Sequence, residues 1–305
     1  MPTTFNLPKE YMSFAEQFNA NASQLADLDT NMWILKPISL SRGRGIRLIN
    51  DISSVLQSDS EPMIVQRYIR NPYTIDGYKW DLRLYVLVTS FSPLEAFIYK
   101  EGFARFATHS YSADVDSMLN KFIHLTNSSI QSKQSDGAAP PPDVIKSYSD
   151  RASPMSVDGG TKCSLEHLSS LLQERGVEYS ALWDEIVVVI LRALFAVQDS
   201  IPNQANSFEL LGFDIIIDED KKPWLLEANS SPSLAISTPL DRIIKESLIR
   251  DTLNLIDPLP FDREALHAVL QKRMKGEFWL RPTCLHSFVL IEYFCPREKR
   301  SDRNR

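Results

Sequence analysis

Cysteine is scarce: Cys163, Cys284 and Cys295 are the only three in 305 residues. They have no metal-ligand spacing, and an odd count does not build a disulfide framework, so a reducing compartment is expected. The first residues show no signal-peptide pattern. The apolar run Ile186–Leu191 falls far short of a bilayer span and ends at Arg192, so no membrane anchorage is expected. A general basic field is missing as well: the net charge is −6, which argues against nucleic acid as a partner. The one local exception runs from Lys36 to Arg105, where ten Lys/Arg face seven Asp/Glu, an excess of three. A polyanion could be met there. What remains is an ordinary soluble composition, 43% hydrophobic and 24% charged, in a chain long enough for one large domain or two.

The most informative stretch is FELLGFDIIIDEDKKPWLLEANSSPSL, residues 208–234. Apolar runs at Phe213–Ile217 and Trp224–Leu226 flank a polar turn, Asp218 to Lys222, and Pro223 stands where a strand can begin. This predicts a β-hairpin. A turn centred between positions 220 and 221 would place Asp214 opposite Glu227, with Asn229 pointing the same way. Two facing carboxylates repel, so a cation between them is expected. Mg2+ suits one or two carboxylates, retained waters and nucleotide phosphates. Solvated hairpin acids are the plainer alternative, but Asp214 and Glu227 sit among apolar residues, unlike the acids of the turn.

Along the chain, residues 8–20 read as a helix with Pro8 first and Tyr11, Phe14, Ala15 and Phe18 on one face. Trp33–Pro37 reads as a strand that ends beside Lys36. The loop Ser39–Gly45 follows, holding Arg42 and Gly43, and then the strand Ile46–Ile49. Glycine lets backbone N–H groups approach phosphate while Lys and Arg supply charge, although the loop is not a Walker A sequence and equally suits a plain turn. Met63–Ile69 is a strand that turns polar midway, able to present backbone donors to a purine or simply to fill a core. In Tyr78–Val88, period two puts Lys79, Asp81 and Arg83 on one face and Trp80, Leu82 and Leu84 on the other. Ala96–Tyr99 and Gly102–Phe106 read as strands paired around Lys100–Glu101. Arg105 lies between apolar neighbours and needs an anion, from either a protein carboxylate or a substrate.

His124–Ser129 is a polar turn that could line a ligand. Residues 131–160 form a low-complexity loop. Helices are expected at 165–175, capped by Ser164, and at 181–199, apolar nearly all round and hence buried. Thr238-Pro-Leu-Asp241 signals a further helix start, with Leu240, Ile243, Ile244 and Leu248 inward and Lys245 off the core face. From Gly276 onward the chain is rich in β-forming residues, and Arg297–Arg305 holds five basic residues. This tail reads as a docking strand with a basic arm, or as a non-native continuation of the reading frame.

Taken together, WILKP with SRGRGI, IVQRYI, YKWDLRLYVLV, ARF, HLTNSS, FELLGFDIIID and KPWLLEANSSPSL resemble the tubulin–tyrosine-ligase-like family in its glutamylase branch, over roughly Phe5 to Ile256. The resemblance implies an α+β, ATP-grasp fold with antiparallel sheets. Residues 1–75 would form a central lobe, 76–257 a C-terminal lobe, and 258–305 an extension. Family members carry a further small lobe before the first helix, which contributes another lysine to the nucleotide site. The chain starts without it, so a missing N-terminal lobe, and with it truncation or impaired activity, belongs to the expectation.

The resemblance further assigns ATP contacts to Lys36, Arg42, Gly43, Gln66, Arg67, Tyr68, Ile69, Lys79, Trp80, Asp81, Thr126 and Asn127. It puts Arg83 near the phosphates, and Mg2+ on Asp214, Glu227 and Asn229. It assigns Arg105, Ser129, Lys162 and Lys245 to the incoming L-glutamate. Lys36, Arg83, Arg105 and Glu227 would be the catalytic set. Tubulin tails of microtubules are the implied partner. The implied protein is a monomer in the cytoplasm and cytoskeleton, with cilium, flagellum or basal body among its sites. The reaction would pass through an acyl phosphate and needs no covalent nucleophile. A glycylase of the same family is the alternative, disfavoured by the cationic residues around Arg105. A nucleotide- and tubulin-binding protein without ligase activity is the other.

Overall fold

Fourteen consecutive residues, Tyr78–Phe91, form one strand, β5, and the rest of the protein hangs on it. The computed structural model describes residues 1–24, 31–38, 40, 43–56, 62–132, 158–202, 204, 207–257, 271 and 288–290. Ahead of β5 lies a small antiparallel sheet, ordered β1 (Thr4–Leu7), β4 (Met63–Arg67), β2 (Trp33–Pro37), β3 (Arg47–Ile49). Helix α1 (Tyr11–Gln24) covers it, and Phe14 meets the buried Trp33 edge-on at 5.2 Å. The helix begins three residues later than the sequence suggests. Leu7 precedes a proline and is drawn into extended backbone, so Thr4–Leu7 pairs with β4 instead. Between the sheet strands lies the short helix α2 (Ser53–Leu56).

The second sheet has seven strands. On one edge of β5 runs β9 (Glu209–Ile217), followed by β10 (Pro223–Asn229). On the other edge, β7 (Phe103–Ser110) pairs with the first half of β5 and β6 (Leu94–Tyr99) with the second half. The expected pairing of β6 with β7 around Lys100–Glu101 is therefore wrong: both pair with β5. At the crossing, Gly102 passes so close that a Cβ would stand 2.4 Å from the Arg83 carbonyl oxygen. Only a residue without a side chain lets the chain step along β5 there. Beyond β7 comes β8 (Lys162–Ser164), and β11 (Phe288–Leu290) closes the far edge against β6. Of the tail from Gly276, only these three residues are described. Most of the loop at 131–160 likewise lies outside the described residues.

One face of β5 is apolar: Trp80, Leu82 and Leu84 join Phe213, Ile215 and the helices α5 (Leu165–Glu174) and α6 (Tyr179–Val197) in the main core. Ser164 caps α5 by accepting from the His167 N–H at 3.2 Å. Helix α6 is not buried all round, as its composition suggested. It packs by Leu182, Ile186, Ile190 and Leu194, while Val188, Phe195 and Val197 stay exposed. Helix α7 (Pro239–Ile256) opens with the anticipated capping box between Thr238 and Asp241. Two one-turn helices, α3 (Lys121–His124) and α4 (Ser128–Gln131), flank Leu125–Asn127. Among the described residues no helix is long and apolar enough to cross a membrane.

Candidate active site

The other face of β5 carries charge. Period two puts Lys79, Asp81 and Arg83 on it, and the register of the neighbouring strands supplies their partners. Arg105 of β7 stands opposite Asp81, and Asp214 of β9 opposite Arg83. Arg105 donates Nε to Asp81 Oδ1 at 2.7 Å and Nη2 to Asp81 Oδ2 at 2.5 Å, and also reaches Asp214 Oδ2 at 2.8 Å. Arg83 grips Asp214 from the other side, Nε to Oδ1 at 2.5 Å and Nη2 to Oδ2 at 3.1 Å. The result is a buried chain of alternating sign: Asp81, Arg105, Asp214, Arg83. The anion that Arg105 needs is thus supplied by two protein carboxylates.

The hairpin adds Glu227. Its Cα is paired with Asp214, as expected, but for another reason. The turn is centred on Asp220: Asp218 accepts from the Lys221 N–H at 2.9 Å, Lys221 adopts φ +69°, and Ile217 pairs with Pro223. That register alone would set Leu226, not Glu227, against Asp214. A bulge between Leu225 and Glu227 restores the missing position. Asn229 leans on the pair, its Nδ2 donating to Glu227 Oε1 at 3.2 Å and to the Gly212 carbonyl at 3.3 Å.

Charge decides protonation here. Burial by itself would raise the Asp214 carboxyl, but Arg105 and Arg83 outweigh it and hold Asp214 well below the usual carboxylate range. Glu227 lacks a guanidinium, and burial together with the Asp214 charge pushes its carboxyl up. A group so placed gains from a cation. Two carboxylates and a carboxamide form a hard oxygen set, too small to enclose an ion and suited to Mg2+ sharing its coordination with waters and phosphates. Among the described residues no three His, Cys, Asp or Glu gather around a metal position.

A cleft lies over this face. Lys36, at the end of β2, enters it from the small sheet and donates to Gln66 Oε1 at 2.8 Å. Burial lowers the Lys36 ammonium, and Glu227 and Asp214 partly offset that. Gln66 to Ile69 line one wall, and Leu125, Thr126 and Asn127 another. Ile34, Ile46, Ile216 and Leu226 add apolar surface. Lys79 is buried: its Nζ donates to the Tyr68 hydroxyl at 2.9 Å and to the His124 carbonyl at 2.8 Å. Burial brings its ammonium down to about 7. His124 stays neutral, held near 4 by burial and by Lys79. Its Nε2 lies 3.0 Å from the Ser117 carbonyl, which can only accept, so Nδ1 is left to accept from Tyr68 at 2.9 Å. Hydrogen bonds thus run in one direction from Lys79 through Tyr68 to His124.

Other expected residues fall as follows. Gly43, at φ +70°, lies against α4, where a Cβ would come within 2.4 Å of Ile130 Cδ1 and 3.1 Å of Asn127 Oδ1. Ser129 is half-buried in α4. Arg42 lies outside the described residues. Trp80 is corrected: its side chain points into the main core, on the opposite face from Lys79 and Asp81. Lys245, placed off the core face by helical spacing, is buried, with its Nζ 2.8 Å from Asp241 Oδ1. Lys162 reaches Asp241 Oδ2 at 2.6 Å. From the sequence Asp241 is only a capping acid and Phe103 only a strand residue, whereas the turn beginning at His124 does line the cleft, as expected. The Asp241–Lys245 spacing of four residues on a helix was the available signal.

The sequence matches the profile of the Tubulin-tyrosine ligase family over residues 1–266. The chain belongs to this family. Tubulin polyglutamylase TTLL5 of Homo sapiens is 40% identical over 264 residues, covering 84% of the chain and 19% of that relative. Probable tubulin polyglutamylase TTLL2 of Homo sapiens is 40% identical over 257 residues, 84% of the chain and 40% of the relative. Probable alpha-tubulin polyglutamylase Ttll1 of Tetrahymena thermophila is 38% identical over 273 residues, 85% and 60%. The chain therefore spans about a fifth of TTLL5 and three fifths of Ttll1. Membership agrees with the mixed α+β, antiparallel architecture, which is of the ATP-grasp-like kind.

Removing the Arg105 side chain should leave Asp81 and Asp214 buried without their shared partner. Arg105→Ala is expected to lose about 3–5 kcal/mol of unfolding free energy, read as a lower urea midpoint. A loss below about 1 kcal/mol would contradict the buried-chain description. For Lys79 the sign follows from its lowered folded-state value. Below about 7 both states are protonated. Between about 7 and the ordinary lysine value of 10.5 only the unfolded chain keeps the proton, so stability rises with pH. The stability of the natural protein relative to Lys79→Met should climb above pH 7 by up to about 1.4 kcal/mol per unit. A difference that stays flat from pH 6.5 to 9 would overturn the buried-ammonium assignment.

Proposed function

We propose that this protein is an ATP- and Mg2+-dependent ligase that adds glutamate to side-chain carboxylates of tubulin C-terminal tails. The observation that carries the reading is the cleft, lined by Lys36, Lys79, Arg105 and the Asp214–Glu227 pair, with Arg83 gripping Asp214 at its margin. Such a surface suits a triphosphate with its metal and a carboxylate nucleophile together. The polyglutamylase relatives support the choice of substrate.

In this reading residues 1–75 and 76–257 act as two ATP-grasp lobes that close on the nucleotide. Gln66 to Ile69 receive the adenine, with Thr126, Asn127 and Gly43 beside the nucleotide. Lys36 and Lys79 hold the phosphates, and nucleotide charge keeps Lys79 protonated. Asp214, Glu227 and Asn229 would hold Mg2+, which supplies charge neutralisation on the phosphates. A tail carboxylate oxygen attacks the γ-phosphate, and ADP leaves. The amino group of free L-glutamate then attacks the acyl carbon and displaces phosphate, losing a proton as the amide or isopeptide bond forms. Arg83 and Arg105 offset charge developing on the transferred group. Lys162, Lys245 and Ser129, with Arg105, orient the incoming glutamate. The partner is tubulin, which implies association with the cytoskeleton. Every step needs positioning and charge, and none needs a covalent nucleophile.

Glu227→Gln tests the site directly, because it removes one metal charge at nearly constant shape. Labelled glutamate should no longer be incorporated into tubulin, while the melting temperature and the circular dichroism spectrum stay those of the natural protein. Incorporation at an undiminished rate would remove Glu227 from the metal set.

A further inference from the structure

Next to Arg105, which pairs with Lys162 across β7 and β8, the buried carboxylate of Asp241 serves two lysines from different elements. Its Oδ2 accepts from Lys162 Nζ of β8 at 2.6 Å, and its Oδ1 lies 2.8 Å from Lys245 Nζ of α7. The side chain of Asp241 is only 1% exposed. Both ammonium groups lie over the ring of Phe103, at 5.1 Å and 5.6 Å from its centroid. The group as a whole, two cations against one anion on an aromatic floor, carries one uncompensated positive charge in a buried setting. Such a charge calls for one more anion.

Asp241 is also tied to the backbone of the hairpin's exit loop. Its Oδ2 accepts from the Ser237 and Thr238 N–H groups, both at 3.2 Å, while Lys245 Nζ donates to the Ala235 carbonyl at 2.5 Å. Loop, helix start and lysine pair are therefore fixed by one side chain.

We propose that Asp241 is a positioning residue of the amino-acid subsite: it divides its oxygens between Lys162 and Lys245 and sets them as a two-pronged clamp for one carboxylate of the incoming amino acid. This rests on the ligase reading above. It goes beyond it in assigning the clamp's geometry and its charge to a residue that touches no reactant. A capping acid would need only the Thr238 contacts, whereas here the same carboxylate holds one cation from β8 and one from the next turn of its own helix. Among the described residues, the charged groups acting on Lys162 are Asp241, Lys245 and Arg105 of β7, and Tyr85 of β5 lies within reach of Asp241. Burial lowers the Lys162 ammonium, and Asp241 offsets that; once Asp241 is neutral, Lys162 is left with burial and the charges of Lys245 and Arg105, and it sheds its proton more readily.

The test compares Asp241→Asn with Thr238→Val in the whole chain. The second variant breaks the capping box and leaves the charges in place. Two readouts are taken: the rate at which an isotopically labelled anhydride acylates Lys162 and Lys245, mapped by mass spectrometry, and the KM for glutamate and for ATP. Asp241→Asn is expected to speed acylation of the pair at pH 8 at least five-fold. It should raise the KM for glutamate at least ten-fold with the KM for ATP within two-fold, and lowering the pH to 6.5 should recover part of that loss. Thr238→Val is expected to lower the melting temperature with acylation and both KM values within two-fold of the natural protein. Equal effects of the two variants, or unchanged acylation in Asp241→Asn, would overturn the proposal and leave Asp241 a cap. Faster acylation in a protein whose natural form shows no glutamate-dependent turnover or binding would instead overturn the ligase reading, and with it the clamp's assignment to an amino acid.

Discussion

Arg105 is the interaction on which the site depends. It lies between Asp81 and Asp214, buried with both. Burying four charged groups in a row costs desolvation that their mutual attraction only partly returns, so such a chain is weak evidence for stability in itself. Its effect is geometric. With Arg83 on one side and Arg105 on the other, Asp214 cannot turn, and the carboxylate stays ionised beside Glu227. The unequal treatment of the two acids follows from this. Asp214 has both guanidiniums and Glu227 has neither, which leaves Glu227 the group with most to gain from a bound cation.

The sheet is what delivers these side chains. A β5 of fourteen residues is long enough to be paired on both edges along most of its length, so one face can fill the core while the other holds the ionic chain. The bulge at Leu226 is a small irregularity with a large consequence. A shift of one residue reverses every side chain on a strand, and without the bulge Glu227 would face away from Asp214. Bulges gather beside functional sites because they re-aim one side chain without unpairing the strand.

Much of this was legible in the residues. Alternation in Tyr78–Leu84 is strict, because one face is apolar core and the other is the site, so period two separates Lys79, Asp81 and Arg83 from Trp80, Leu82 and Leu84, and past Arg83 both faces are apolar. The Thr238 capping box follows from side-chain chemistry within four residues. What failed was non-local or depended on backbone detail. Nothing in Ala96–Phe106 says that Gly102 lets the chain pass along β5 instead of folding back. The Asp214–Glu227 pair was expected from a symmetric turn, and it exists because two departures, the turn centred on Asp220 and the bulge, cancel. Helix α6 looked buried from its composition, yet a helix lying on a sheet has one covered side. Lys245 falls off the core face by helical spacing, which says nothing of Lys162 arriving from β8 to share Asp241.

The central claim is that this charged face joins glutamate to tubulin tails at the expense of ATP. The most direct measurement is mass spectrometry of tubulin tails after incubation with the 305-residue chain, ATP, Mg2+ and equal amounts of free glutamate and glycine. The account predicts mass increments of glutamate and none of glycine. Glycine increments would contradict the cationic pocket as a glutamate site. An absence of any increment, from a chain shown to be folded and to bind ATP, would contradict the ligase reading of this chain.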